Sequence, residues 1–235
     1  MGEQLKHYPG HLWDSDPVNI SENFAPIVHN WEKLQEEANK TKHKSPEEEQ
    51  ARKDLKELLN IVSTGSGNAK LDQYFKTRES HMANRTITYD TIWTLFPPGC
   101  LVYSAPFLKE PQVFIVGSKP LEFPVIHGRR EIPWSVVCYS YDWTGSKFER
   151  KAYEFQFERF AGSKAINTLP CYPLEYYGGE NGEEDRESIR ARLIKRGRKF
   201  RELCIAGKGK QMFTYKGTVL SRGVGITTIA SATQV

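Results

Sequence analysis

No run of apolar residues in this chain approaches the roughly 18 that a bilayer-spanning helix requires, so no membrane span is expected. The opening Met1-Gly-Glu-Gln-Leu-Lys-His7 lacks the apolar centre of a signal peptide. Lys6 stands where an N-myristoylation signal wants Ser or Thr. Cysteine is sparse: Cys100, Cys138, Cys171 and Cys204 stand alone, without the short spacing of a zinc or redox pair. They read as buried free thiols in a reducing compartment. The sequons at Asn19, Asn39 and Asn84 carry no weight without a secretory signal. These absences place the protein inside the cell, in the cytoplasm or nucleus. A strong excess of one charge is lacking too. Lys and Arg number 33 against 29 Asp and Glu, a net charge of +4, far from the imbalance of a dedicated nucleic-acid binder.

Catalytic signatures are also missing. A Walker A loop needs Gly, four residues, then Gly-Lys-Ser/Thr, so that backbone donors and the lysine surround the phosphates. Thr64-Gly-Ser-Gly-Asn-Ala-Lys70 has the wrong spacing and follows a helix rather than a strand. Ile205-Ala-Gly-Lys-Gly-Lys210 lacks the second Gly-Lys-Ser/Thr step, and Gly223-Val-Gly-Ile-Thr-Thr228 lacks the third glycine of a dinucleotide loop. All three read as turns. His7 and His11 are separated by Pro9-Gly10, which breaks any helix that could align them on a metal. Asp14 and Asp16 read as an exposed acidic loop, and no nucleophile elbow or Cys–His arrangement occurs. The C-terminal Thr233-Gln-Val235 is too short to establish strand addition to a PDZ-type groove. No catalytic residue, cofactor site or metal site is therefore expected, and the chain reads as a non-enzyme.

What is present is a soluble-protein composition, with 38% hydrophobic and 12% aromatic residues over 235 positions. That is enough for one sizeable core. Residues 1–44 are polar with scattered aromatics and read as a poorly ordered or partner-dependent lead-in, helical only around Val28–Ala38. Ser45-Pro-Glu-Glu48 starts a helix: Ser45 can cap, Pro46 suits the first position, and Glu48 can close a capping box. Leu55, Leu58, Leu59 and Val62 form its stripe, and it should end near Ser63–Gly67. A second helix is expected over Ala69–Thr77, completing a helical segment at 45–84. Thr88 can cap a short helix at Tyr89–Phe96, which Pro97 and Pro98 terminate.

The pattern then turns to strands at Cys100–Ser104 and Gln112–Gly117, with a loop at Pro124–Pro133. Trp134–Asp142 and Lys147–Phe160 flank Trp143-Thr-Gly-Ser146 as a hairpin. Tyr153, Phe155 and Phe157 alternate with Glu154, Gln156 and Glu158, placing the rings on one face. Lys151–Phe157 superficially resembles the stacking strand of an RNA-recognition motif, but Glu149, Glu154 and Glu158 would repel phosphates, so core-facing rings are expected. Ala165–Tyr177 reads as extended and proline-punctuated, and Gly178–Gly182 as a break. Glu183–Phe200 is the strongest helix, with Ile189, Leu193, Gly197 and Phe200 on one side, acids leading and bases trailing as the helix dipole favours. Further strands are expected at Gln211–Tyr215 and Thr218–Leu220. The fold class is thus α+β: an antiparallel β core able to close toward a barrel, N-terminal helices, and one long amphipathic helix near the C-terminus.

Several ordered pieces resemble a known family. They are Ile87-Thr-Tyr-Asp90, Trp93-Thr-Leu-Phe-Pro-Pro-Gly99, Glu110-Pro-Gln-Val-Phe114, Tyr141–Phe148, Tyr153–Phe157, Phe160–Tyr177 and Leu193–Leu203. Their order and spacing resemble the domain of unknown function that precedes the ATPase module in many fungal AAA+ ATPases, over roughly residues 85–217. The resemblance implies a linker and an ATP-hydrolysing module in full-length relatives, and it carries no catalytic residue onto this chain. After Gly217 the sequence departs from the family into a tail at 218–235. A truncated gene, a misread intron and a genuine stand-alone form all fit that departure.

The expected function is a non-catalytic accessory domain that docks on protein substrates or on the AAA+ module. Its expected surface is the basic face of the 186–201 helix, above all Arg190, Arg192, Arg196 and Lys199, with the adjacent Leu169–Tyr177 segment. The alternatives are a nucleic-acid-binding module using the same helix, or a fragment of an ATP-hydrolysing protein.

Overall fold

A computed structural model describes residue 20 and residues 24–41, 45–117, 126–127, 130–131, 133–178, 182–205, 219–223 and 225–229. His7, His11, Asp14, Asp16, Asn19, Lys210, the expected strand at Gln211–Tyr215 and the C-terminal Thr233-Gln-Val235 lie outside the described residues. Two units divide the chain, residues 1–195 and 196–235.

Four helices lead the first unit: α1 (Ala25–His29), α2 (Trp31–Ala38), α3 (Pro46–Thr64) and α4 (Ala69–Ala83). Ser45 caps α3 as expected, its hydroxyl accepting from the Glu48 N–H at 3.3 Å. The Glu48 carboxylate pairs with Arg52 at 2.8 Å. Arg52 also meets Glu37 at 3.3 Å, tying α3 to α2. Asn68 caps α4 through the Lys70 and Leu71 amides, in a turn where Ser66 is held by Asp72. That turn accounts for the glycines of Thr64–Lys70. The lead-in helices are built into the core: Ile27, Val28, Trp31 and Leu34 are buried with Leu55, Leu59, Val62 and Leu71 of α3 and α4.

Strand β1 (Thr86–Thr88) follows, then a 3-10 helix at Tyr89–Leu95 rather than an α-helix. Thr88 gives no side-chain cap; its hydroxyl meets that of Thr91 at 2.8 Å. The double proline directly after Phe96 leaves too little room for a full α-helical ladder. The strands β2 (Leu101–Phe107), β3 (Glu110–Val116), β4 (Ile126–His127), β5 (Arg130–Glu131), β6 (Trp134–Trp143), β7 (Phe148–Phe157), β8 (Ser163–Ala165) and β9 (Tyr172–Pro173) come next. The first unit also holds 3-10 turns at Ile166–Thr168 and Leu174–Tyr176 and the start of α5 (Gly182–Ile205).

The main sheet has order β7-β6-β3-β2-β9, antiparallel throughout. It is open, which corrects the barrel-like expectation. One edge is the long β7, the other the two-residue β9, and these do not pair. Strand β8 pairs with β1 in a separate ribbon instead. The β6–β7 hairpin matches expectation, with Trp134 opposite Phe157 and Trp143 opposite Phe148. Phe155 and Phe157 are buried and Tyr153 half-buried, so these rings face the core.

The β2–β3 turn, Leu108-Lys109, sits at φ 52° and 60° without a glycine. A left-handed conformation costs a branched or bulky residue about 1 kcal/mol, and two-residue hairpin turns favour Asn-Gly. Leu108→Asn combined with Lys109→Gly should therefore raise the denaturation free energy by about 1 kcal/mol, with unchanged stability in urea as the contrary result. In the second unit, β10 (Val219–Gly223) and β11 (Gly225–Ile229) pair antiparallel.

Candidate functional site

The start of α5 is fixed by close backbone approach. Gly178 lies at φ 83°, and a Cβ there would fall 2.7 Å from the Asp185 Cβ and 3.0 Å from the Gly182 Cα. Only glycine fits that position. Two guanidinium groups then converge on one carbonyl. Arg85 Nη2 donates to the Glu175 backbone oxygen at 3.1 Å and Arg186 Nη1 at 2.6 Å. Arg85, itself at φ 52°, also lies over the Tyr176 ring at 5.6 Å. Ile189 is buried and Leu193 half-buried, whereas Ile194, Leu203 and Ile205 are exposed. The helix is therefore amphipathic in its burial only along its first half.

Between this first half and the Leu174–Tyr176 turn runs a groove of about 690 Å³. Arg85, Arg186 and Arg190 supply its cations, Glu175 and Glu187 its carboxylates, and Leu101 and Pro173 its apolar wall. The four basic residues singled out from sequence do not form one cluster. Arg190 lines the groove and meets Glu187 at 3.6 Å. Arg192, Arg196 and Lys199 fall at spacings of four and three on α5 and share another face of that helix. Arg192 lies close enough to Tyr103 for its charge to be felt there.

A second, larger cleft of about 820 Å³ adjoins the groove; Met82, Cys100, Glu175 and Tyr176 line both. No local pattern in the sequence marks this cleft, because its residues come from distant segments. Tyr74, Arg78 and His81 line it from successive turns of α4. Polar residues recurring at three- and four-residue spacing were the one available signal. Arg78 pairs with Glu32 of α2. Burial works against its charge, but the Tyr74 phenol and the Glu32 carboxylate outweigh that and hold its pKa above the ordinary value. His29 places Nε2 3.0 Å from the Trp93 carbonyl oxygen, and burial lowers its pKa to about 4 despite that bond. Burial raises the Cys100 thiol to about 12 and, with the neighbouring Glu175 charge, the Tyr176 phenol to about 12.

Cys138 and Cys171 are fully buried, and burial, with Cys138 close by, raises the Cys171 thiol well above its ordinary value. Among the described residues no three His, Cys, Asp or Glu side chains gather as a metal site. Nor, among them, is any helix long and apolar enough to cross a membrane.

No curated protein and no solved structure matches the chain. A family match exists for its middle part: from the second half of α4, through β1 and the main sheet, to Gly178 at the foot of α5, residues 77–178 match the model of DUF7025, a domain of unknown function.

Proposed function

We propose that this chain is a non-catalytic docking module that holds a protein partner in the groove between α5 and the Leu174–Tyr176 turn. One observation carries the reading. The two segments expected from sequence to form a contact surface, the basic helix and the Leu169–Tyr177 stretch, line a single groove, with Arg186 and Arg190 on one side and Pro173 and Tyr176 on the other. The groove combines an apolar floor with oriented guanidinium groups, which suits an extended segment carrying acidic residues. The ionisation of the adjoining cleft supports a binding role. At neutral pH the Cys100 thiol is protonated and the His29 ring neutral with its Nε2 engaged, so Cys100 offers no thiolate nucleophile there and His29 is a weak base. The resemblance to the domain before a fungal AAA+ module makes that module, or its substrate proteins, the natural partner.

Capture from a nuclease-treated lysate of the source cells tests this. Wild-type protein should retain a defined set of proteins that the Arg186→Glu/Arg190→Glu variant loses, and purified protein should hydrolyse no ATP. Equal capture by both proteins, or measurable ATP turnover, would contradict the reading.

The second reading is nucleic-acid binding along α5. It is favoured by eight bases between Arg186 and Arg201 with Glu187 as the only acid among them. Binding to mixed oligonucleotides would then weaken steeply with salt and vanish on charge reversal at Arg192 and Arg196. Absence of retention on heparin at low salt would rule it out.

A further inference from the structure

We propose that the cleft beside α4 is the specificity pocket of the docking groove and accepts an acidic side chain of the docked peptide, which takes the place of Glu32 on Arg78. The inference rests on the docking reading and adds to it a pocket, a ligand class and a gate. The pocket is contiguous with the groove, because Met82, Cys100, Glu175 and Tyr176 belong to both linings.

The two members of its ion pair are unequal. The Arg78 side chain is 14% exposed and is held on α4, where the Tyr74 phenol on the preceding turn contacts it. The Glu32 side chain is 55% exposed and belongs to a different helix, in the first turn of α2. Glu32 can therefore swing into water at little cost, whereas Arg78 cannot leave. With Glu32 in water, the Arg78 guanidinium stays in the cleft beside Tyr74 and favours a replacement carboxylate. A group that enters the cleft and displaces Glu32 is therefore favoured when it brings a negative charge of its own.

The walls favour a carboxylate on a short apolar stem. Val28, Ile87, Leu95 and Ile166 lie close to the polar groups, and a low local dielectric strengthens a charge-assisted hydrogen bond. Across the two linings, Lys33, Arg78, Arg85, Arg186 and Arg190 stand against Glu32, Glu175 and Glu187. That balance is positive enough to attract an acidic peptide, and the interspersed carboxylates disfavour a phosphate polymer.

Fluorescence anisotropy with a short glutamate-rich peptide, and its glutamine counterpart as control, tests the gate. Wild type should prefer the glutamate peptide. Glu32→Gln removes the internal competitor and should tighten that peptide about 3- to 10-fold while leaving the glutamine peptide unchanged. Arg78→Met should weaken it at least ~10-fold and erase the preference. Arg190→Glu should weaken binding through the groove.

The opposite signs at Glu32 and Arg78 separate a gate from a structural ion pair, whose loss from either side would act alike. Glu32→Gln keeps the length of the side chain and an amide oxygen that can accept from Arg78, and a circular dichroism spectrum matching wild type checks that the fold is kept. Unchanged or weaker glutamate-peptide binding by that variant would overturn the pocket, while continued sensitivity to Arg190→Glu would leave the docking groove standing. Absence of binding by wild type would overturn both.

Discussion

Phe114→Ala is expected to lower the free energy of unfolding by about 3–5 kcal/mol. Phe114 sits on β3 at the middle of the main sheet and is fully buried. Its ring meets Tyr153 at 5.0 Å and Phe155 at 5.2 Å, both edge-on, which adds about 0.5–1.5 kcal/mol per pair to the burial itself. Both partners stand on β7, at the far edge of the sheet, so the ring braces one edge strand across the intervening β6. The sheet is open and cannot redistribute a cavity around a closed ring of strands. Set against a typical total of 5–15 kcal/mol, such a loss leaves a marginal fold. Urea denaturation followed by tryptophan fluorescence measures it. A cost below about 1 kcal/mol would show that the cavity collapses and that the aromatic brace is unimportant.

A second large effect is expected from pH. His29 is pressed against the Trp93 carbonyl, and burial lowers its pKa from 6.5 to about 4. Between those values the unfolded chain binds a proton that the folded chain refuses. Stability is therefore fully present above pH 6.5 and is lost as pH falls toward 4. The loss should approach roughly 2–3 kcal/mol at the bottom of that window. His29→Gln keeps an amide donor for the carbonyl and removes the titration, so its stability should be nearly level from pH 6.5 to 5. Thermal melting across this range in both proteins measures the difference. Parallel profiles would show that His29 is not the group responsible.

The parts of the fold that could be read from sequence are those governed by neighbours along the chain. Ser45-Pro-Glu-Glu48 announces α3 because capping is settled within one turn. The alternation of Tyr153, Phe155 and Phe157 announces β7 because the strand period is two. The two cavities could not be read this way. The contacts that build them join His29 to Trp93, Glu32 to Arg78 and Arg85 to Glu175, separations over which no periodicity carries. The cysteines make the same point. Cys100, Cys138 and Cys171 stand apart in sequence, yet the fold buries Cys171 and brings Cys138 and Cys100 near it, so that burial first and these neighbours second raise its thiol.

The extent of the apolar side of α5 was overestimated for a related reason. The spacing of Ile189, Leu193 and Phe200 fits one stripe, but Ile189 is buried and Phe200 is exposed. Periodicity defines a face without saying how far a neighbour covers it. Arg190 and Arg192, two residues apart, likewise read as one basic patch until the helix turns them to different sides.

The most direct measurement places a photo-activatable cross-linker at Arg190, in the groove, and at Lys56 on the exposed side of α3. In the source cells, the protein substituted at Arg190 should cross-link a partner that the protein substituted at Lys56 does not reach, and added glutamate-rich peptide should suppress that product. Identical products from both positions, or none from Arg190, would contradict a docking groove on this face.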